Sequence, residues 1–207
     1  MKLPRIYPLT DVPLSGVSHA EQVKLLSRGG ASLVQLREKS MPPREFYEQA
    51  REAVAVALRC GVQLLINDRV DIALAVRATG VHLGQDDMPP EAARSLLGPE
   101  AVIGYSTHNI EQAVAATKLP IDYVAIGPIF ATTTKTDTAP ILGLEGLRTV
   151  RQAIGAIPLV AIGGITSANA ADVIAAGADS VAVISALLSN SSKISEATRS
   201  LLQDLQD

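Results

Sequence analysis

Aromatic side chains are scarce in this chain, with no tryptophan, two phenylalanines and four tyrosines among 207 residues. Nucleic-acid binding needs stacking platforms and a basic face. The balance here is 18 basic against 21 acidic residues, a net charge of −3, so neither requirement is met. Cysteine is nearly absent as well. Cys60 has no partner, so no disulfide framework is available and the fold must rest on burial. It falls at the end of a predicted helix, just before Gly61, and reads as a reduced cytoplasmic thiol rather than a nucleophile. Long hydrophobic runs are missing too. No segment approaches the roughly 20 apolar residues that cross a bilayer, and no signal-like segment opens the sequence. These absences lead us to expect a cytoplasmic protein that engages neither membrane nor nucleic acid.

What the chain does have is aliphatic mass. Apolar residues make up 47%, mostly Ala, Val, Ile and Leu, enough for a full core in a single domain over 1–207. The organising stretch is Leu33-Val-Gln-Leu-Arg-Glu-Lys39. Alternate residues of a strand face opposite sides, which puts Val34 and Leu36 on one face and Gln35, Arg37 and Lys39 on the other. A strand wrapped in helices is apolar on both faces, so a polar face at its carboxyl end needs a reason. Two cations there suit a phosphate or diphosphate.

Strands are expected over 5–10, 33–39, 63–68, 81–85, 102–106, 123–127, 159–162 and 180–185, with Pro8 making the first the least regular. Helices are expected over 19–27, 43–59, 70–76, 89–97, 110–117, 144–154, 168–176 and 193–205, with no compositional break between units. Eight alternating pairs predict an α/β fold, a single (β/α)8 TIM barrel. An open doubly wound sheet is the rival, but no glycine-rich dinucleotide fingerprint follows the first strand.

In such a barrel the chemistry gathers at the carboxyl ends of the strands. Those ends carry Gln35, Arg37 and Lys39, then Asn67 and Asp68, then Gln85, Asp86 and Asp87, then Ser106 with His108. Thr132, Thr134 and Lys135 follow strand six, Gly163 and Gly164 strand seven, and Ile184 and Ser185 strand eight. The glycines and Ser185 expose backbone N–H groups suited to a single phosphate. Arg37, Lys39 and Lys135, beside the carboxylates Asp68 and Asp87, suit a polyphosphate with Mg2+, which takes one or two carboxylates plus substrate oxygens. Simple ion pairing is the plainer reading of the same charges. His82 is expected as a satisfied core residue, His108 as a residue near the site, and Thr132 to Lys135 as a lid. Alternation cannot decide between Asp86 and Asp87, because the strand runs into loop there.

Gln35-Leu-Arg37-Glu-Lys39, Asn67-Asp68, His82-Leu-Gly84-Gln85-Asp86-Asp87, Gly104-Tyr-Ser106-Thr-His108, Gly127-Pro-Ile-Phe-Ala-Thr132-Thr-Thr134-Lys135, Ile162-Gly-Gly164-Ile and Ile184-Ser185-Ala together resemble the thiamine-phosphate synthase family, in order and over nearly the whole chain. The resemblance implies a transferase that couples hydroxymethylpyrimidine diphosphate to hydroxyethylthiazole phosphate, plain or carboxylated. Diphosphate leaves first in a dissociative, Mg2+-assisted mechanism. It implies that Gln35, Arg37, Lys39, Asn67, Ser106 and Lys135 hold the pyrimidine diphosphate, with Arg37, Lys39, Ser106 and Lys135 catalytic. Asp68 and Asp87 would bind Mg2+, while Thr132, Thr134, Gly164, Ile184 and Ser185 would hold the thiazole phosphate. Pro8 and Ala131 depart from the family's usual residues. The implied partners are these two small molecules, and a homo-oligomer is compatible with the chain. A thiazole tautomerase on the same barrel would have no use for the diphosphate residues, and a non-catalytic sensor of thiamine phosphates would not need the carboxylates.

Overall fold

The computed structural model describes residues 2–132 and 140–205. Eight strands run in chain order: β1 (Ile6–Pro8), β2 (Leu33–Leu36), β3 (Gln63–Asn67), β4 (Gly80–Leu83), β5 (Val102–Thr107), β6 (Tyr123–Ile126), β7 (Leu159–Ile162) and β8 (Ser180–Val183). From β2 to β8 each strand pairs in parallel with its sequence neighbours, and β1 pairs in parallel with β8. A parallel Leu9–Gln35 bridge, with the Thr10 N–H donating to the Gln35 carbonyl at 2.9 Å, closes the ring between β1 and β2. The architecture is the predicted (β/α)8 barrel. Pro8 is tolerated because it ends its strand, where a missing N–H costs little.

Alternation along each strand divides the core into two layers. Tyr7, Leu33, Leu65, Tyr123, Ala125, Val160 and Ala182 pack together inside the barrel. Ile6, Val34, Leu36, Ile66, Val81, Ile103 and Val181 face outward onto the helices. Near-complete burial on both faces explains why these strands read as continuous apolar runs. Gly104 on β5 makes room for a neighbour: a Cβ there would lie 2.0 Å from Cζ of Tyr123.

The helices are α1 (Val12–Ser15), α2 (His19–Arg28), α3 (Pro43–Cys60), α4 (Val70–Val76), α5 (Pro90–Leu97), α6 (Ile110–Ala116), α7 (Gly143–Ile154), α8 (Ala170–Ala175), α9 (Ser185–Leu188) and α10 (Ile194–Asp204). Their ends follow local chemistry. Ser18 caps α2 by accepting from the Glu21 N–H at 3.3 Å, and Asn109 caps α6 by accepting from Gln112 at 2.8 Å. The Gly61 left-handed cap stops α3 at Cys60, which is exposed. The four-residue helices α1 and α9 were not predicted. Strand eight ends at Val183 rather than residue 185, because the chain turns into α9. Among the described residues no helix is long and apolar enough to cross a membrane.

Candidate active site

At the carboxyl end of the barrel, β2 delivers its polar face inward. Gln35 is 2% exposed and donates from Nε2 to the Tyr7 hydroxyl at 2.9 Å. Arg37 lies 3.4 Å from Asp11, and its backbone N–H donates to Oγ1 of Thr10 at 3.2 Å. Lys39 places Nζ 2.5 Å from Oδ2 of Asp68. Both cations therefore hold a carboxylate, so the ion-pair reading is correct for this state. Nothing in it prevents a ligand phosphate from competing for the same cations. Glu38, on the opposite face, accepts from the backbone N–H groups of Lys39, Ser40 and Met41 at 2.7–3.1 Å. Burial pushes its carboxyl up, but those three donors and His19 outweigh burial and hold it below the usual range.

Asn67 and Asp68 follow on β3. Asp68 adopts a left-handed backbone, φ 61°, a conformation that costs a residue with a Cβ and is concentrated at functional sites. Its N–H donates to the His82 carbonyl at 2.8 Å. The ambiguity on β4 resolves through the turn after Leu83. Asp87 folds back to accept from the Gly84 N–H at 2.6 Å, while Asp86 stays exposed. Burial raises the Asp87 carboxyl above its usual range, and the charge and hydrogen bond of Asp68 raise it further against the pull of Gly84 and Lys39. Asp68 and Asp87 are thus a facing pair of carboxylates with too little positive charge between them.

Arg37, Lys39, Asn67, Asp68, Asp87 and Ser106 line one open cavity of about 420 Å³. A second, about 70 Å³, is lined by Thr132, Gly163, Gly164, Ile165, Ile184 and Ser185. Leu9, Arg37, His108, Ile162 and Ala182 border both, so the two open side by side on one rim. Gly163 and Gly164 have φ 103° and 64°. A Cβ on Gly164 would sit 2.5 Å from the Ala131 carbonyl oxygen, so a side chain is excluded twice over. The loop after β6 is tied to this turn by the Phe130 N–H donating to the Gly163 carbonyl at 3.0 Å.

His108 donates from Nδ1 to the Gly127 carbonyl at 2.9 Å. His82 is buried and satisfied as expected, yet it also lines the larger cavity. Its Nδ1 meets the Tyr123 hydroxyl at 2.8 Å and its Nε2 meets Ser106 Oγ at 2.7 Å. Thr134 and Lys135, and with them all of the expected lid except Thr132, lie outside the described residues. Sequence reasoning did not single out Tyr7, Tyr123 or Asp11. Strand alternation carried a signal for the two tyrosines, since each follows or precedes an outward aliphatic residue. Nothing in the sequence paired Asp11 with Arg37.

Residues 6–187 match the family model described as "Thiamine monophosphate synthase". A thiamine-phosphate synthase of Chloroflexus aurantiacus is 52% identical over 185 residues, 89% of this chain and 85% of the relative. One from Clostridium novyi is 50% identical over 187 residues, 90% and 91% of the two chains. Among solved structures, a thiamine phosphate pyrophosphorylase from Pyrococcus furiosus superposes with a TM-score of 0.88 at 38% identity, covering 98% of this chain and 95% of that one.

Proposed function

The chain belongs to the thiamine monophosphate synthase family, enzymes of thiamine biosynthesis, and from that membership we propose that it joins hydroxymethylpyrimidine diphosphate to hydroxyethylthiazole phosphate, or its carboxylated form. The observation that carries this reading is the pair of adjoining cavities, one walled by cations and carboxylates and the other by the Gly163–Gly164 turn, Thr132, Ser185 and aliphatic residues, with Arg37 and His108 bordering both. A donor with a diphosphate and an acceptor with a single phosphate fit side by side in that order.

Arg37, Lys39 and Ser106, with Lys135, hold the diphosphate as the methylene C–O bond breaks and the electron pair leaves with it. Charge develops on the leaving group, and fixed donors aimed at it lower the barrier. Gln35 and Asn67 hold the pyrimidine. The acceptor's phosphate rests against Thr132, Thr134, Gly164, Ile184 and Ser185, so that its ring nitrogen meets the methylene carbon and closes the C–N bond; a carboxylated acceptor also loses its carboxylate as CO2. No strong base is needed, which agrees with a rim built from cations rather than from a nucleophile and its base.

Asp68 and Asp87 fit a hard divalent cation, since a raised carboxyl beside a second carboxylate gains from positive charge placed between them. Among the described residues no group of three or more metal-binding side chains exists, so the remaining ligands are substrate oxygens, the usual habit of Mg2+. Held there, Mg2+ would supply positive charge for the oxygens of a departing diphosphate. A cytoplasmic setting agrees with the exposed, unpaired Cys60. Incubation with both substrates, with and without Mg2+, tests the reading by following thiamine phosphate and released diphosphate in parallel. Stoichiometric appearance of both, dependent on Mg2+, is expected; diphosphate release without coupling would reject it.

A further inference from the structure

Five side chains from five strands form one line of hydrogen bonds across the barrel interior, and the reaction proposed above uses only its two ends. Gln35 Nε2 donates to the Tyr7 hydroxyl at 2.9 Å, and the Tyr7 and Tyr123 hydroxyls are 2.9 Å apart. Tyr123 meets His82 Nδ1 at 2.8 Å, and His82 Nε2 meets Ser106 Oγ at 2.7 Å. The rings are held firmly. His82 stacks on Tyr123 with centroids 5.6 Å apart, and Tyr7 meets Tyr123 edge-on at 5.9 Å. Gly104 leaves the space that Tyr123 fills.

Each hydroxyl in this line has one proton to give, and a neutral imidazole has one N–H. Burial raises both phenols well above their usual range, so both remain protonated. Tyr7 already accepts from Gln35, so its proton goes to Tyr123. Tyr123 then gives its own proton to His82 Nδ1, and His82 carries its hydrogen on Nε2 and gives it to Ser106. The Ser106 hydroxyl is left to donate outward. We propose that this line runs one way, from the Gln35 amide to Ser106, and that Tyr123 and His82 are positioning residues that hold Ser106 as a donor into the diphosphate cavity. The proposal rests on the reading that Ser106 meets the diphosphate.

Direction matters because the reverse is chemically wrong for this ligand. With the Gln35 amide turned over, Tyr7 would donate to its oxygen and every link would invert. Ser106 would then give its proton to His82 and turn only lone pairs toward an anion. In the direction drawn, Gln35 Oε1 is buried without a partner and remains an acceptor for an amino group. The line therefore couples an acceptor at the pyrimidine end to a donor at the diphosphate end. An aminopyrimidine diphosphate matches that pattern, whereas an oxo analogue with N–H and C=O exchanged does not.

The direction is readable in the ligand-free protein from the nitrogen shifts of the His82 ring at neutral pH. The His82→Gln variant identifies its signals among the three histidines. We expect hydrogen on Nε2 only; hydrogen on Nδ1, or on both, overturns the proposal. Ser106→Ala should leave this tautomer unchanged, because the direction is set from the Gln35 side, and a switch to Nδ1 also overturns it. Tyr123→Phe removes the donor to Nδ1. Mixed tautomers should appear, kcat should fall about tenfold, and the KM for thiazole phosphate should stay within about twofold. An unchanged tautomer and kcat in that variant would remove the positioning role. Should Tyr123→Phe fail to fold, the wild-type and Ser106→Ala spectra still decide the direction. An inactive protein whose His82 carries hydrogen on Nε2 would reject the proposed reaction and keep the relay.

Discussion

Lys39 and Asp68 sit 2.5 Å apart in a half-open setting, so the proposed diphosphate would compete with a carboxylate for the ammonium. A dication between Asp68 and Asp87 would release it. Asp87→Asn keeps the shape and removes the charge. Titration calorimetry should show weaker Mg2+ binding and weaker diphosphate binding in its presence, with thiazole phosphate binding nearly unchanged. Equal loss of both ligands would mean that the two cavities are not separate sites. Lys39→Ala or Arg37→Ala removes a proposed donor to the leaving group and should cost on the order of 10²–10³ in kcat with the fold intact by circular dichroism. Near-normal turnover in both would move the reaction elsewhere. At this scale the sequence was informative on the strands and just past the end of β2, which stops at Leu36 rather than at residue 39, and silent in the tighter turn after β4. Arg37 and Lys39 could be assigned a face by alternation. The choice between Asp86 and Asp87 depends on a turn in which Asp87 accepts from the Gly84 N–H, and a turn has no period of two.

The element that aims these cations is the turn from β2 to α3. Glu38 points away from the cavity, and its Oε1 takes the N–H groups of Lys39, Ser40 and Met41 together, fixing the backbone from which Lys39 projects. Glu38→Ala leaves three donors without that partner; the part-buried Met41 N–H costs up to about 1–3 kcal/mol if unpaired, while those of Lys39 and Ser40 are exposed and turn to water. Faster hydrogen exchange at those three amides is expected, along with a kcat loss of about tenfold or more. Unchanged exchange would show that the turn holds itself. On β5, Gly104→Ala drives a Cβ into the Tyr123 ring. Overpacking of this kind costs about 1–3 kcal/mol, which the urea midpoint should report; an unshifted midpoint would mean that the ring moves freely. The eight strands were legible because each is a short, largely apolar run bounded by turn residues, with polar side chains confined mostly to the inward face near the site. The helices α1 and α9 were not, since four residues cannot show a 3.6-residue period.

Across the whole molecule the barrel buries one histidine behind the cavity wall, outside its lining. His19 on α2 is fully buried, with Nδ1 2.7 Å from Thr10 Oγ1 and Nε2 3.6 Å from Glu38 Oε2. Burial lowers its pKa below the ordinary value near 6.5, and the charges of Glu38 and Asp11 only partly restore it. The unfolded chain therefore binds a proton here at a pH where the folded chain does not. Stability depends on the protons bound unfolded minus those bound folded. It should thus rise with pH through the ordinary histidine range and be lost as pH falls from about 6.5 toward the folded pKa. Glu38, whose folded pKa is also depressed, adds a second loss at lower pH, below the usual carboxylate value. His19→Leu removes the first step and weakens the second, because His19 helps hold the Glu38 carboxyl low. Urea midpoints for wild type and variant at about pH 7.5, 6.5 and 5.5 separate two physical pictures. With a neutral buried imidazole, the wild type's advantage shrinks as the solution is acidified, because only the wild type bears the cost of keeping a proton off. With an imidazolium paired to Glu38 the advantage would grow instead, and burial would have lost to charge at the 3.6 Å contact.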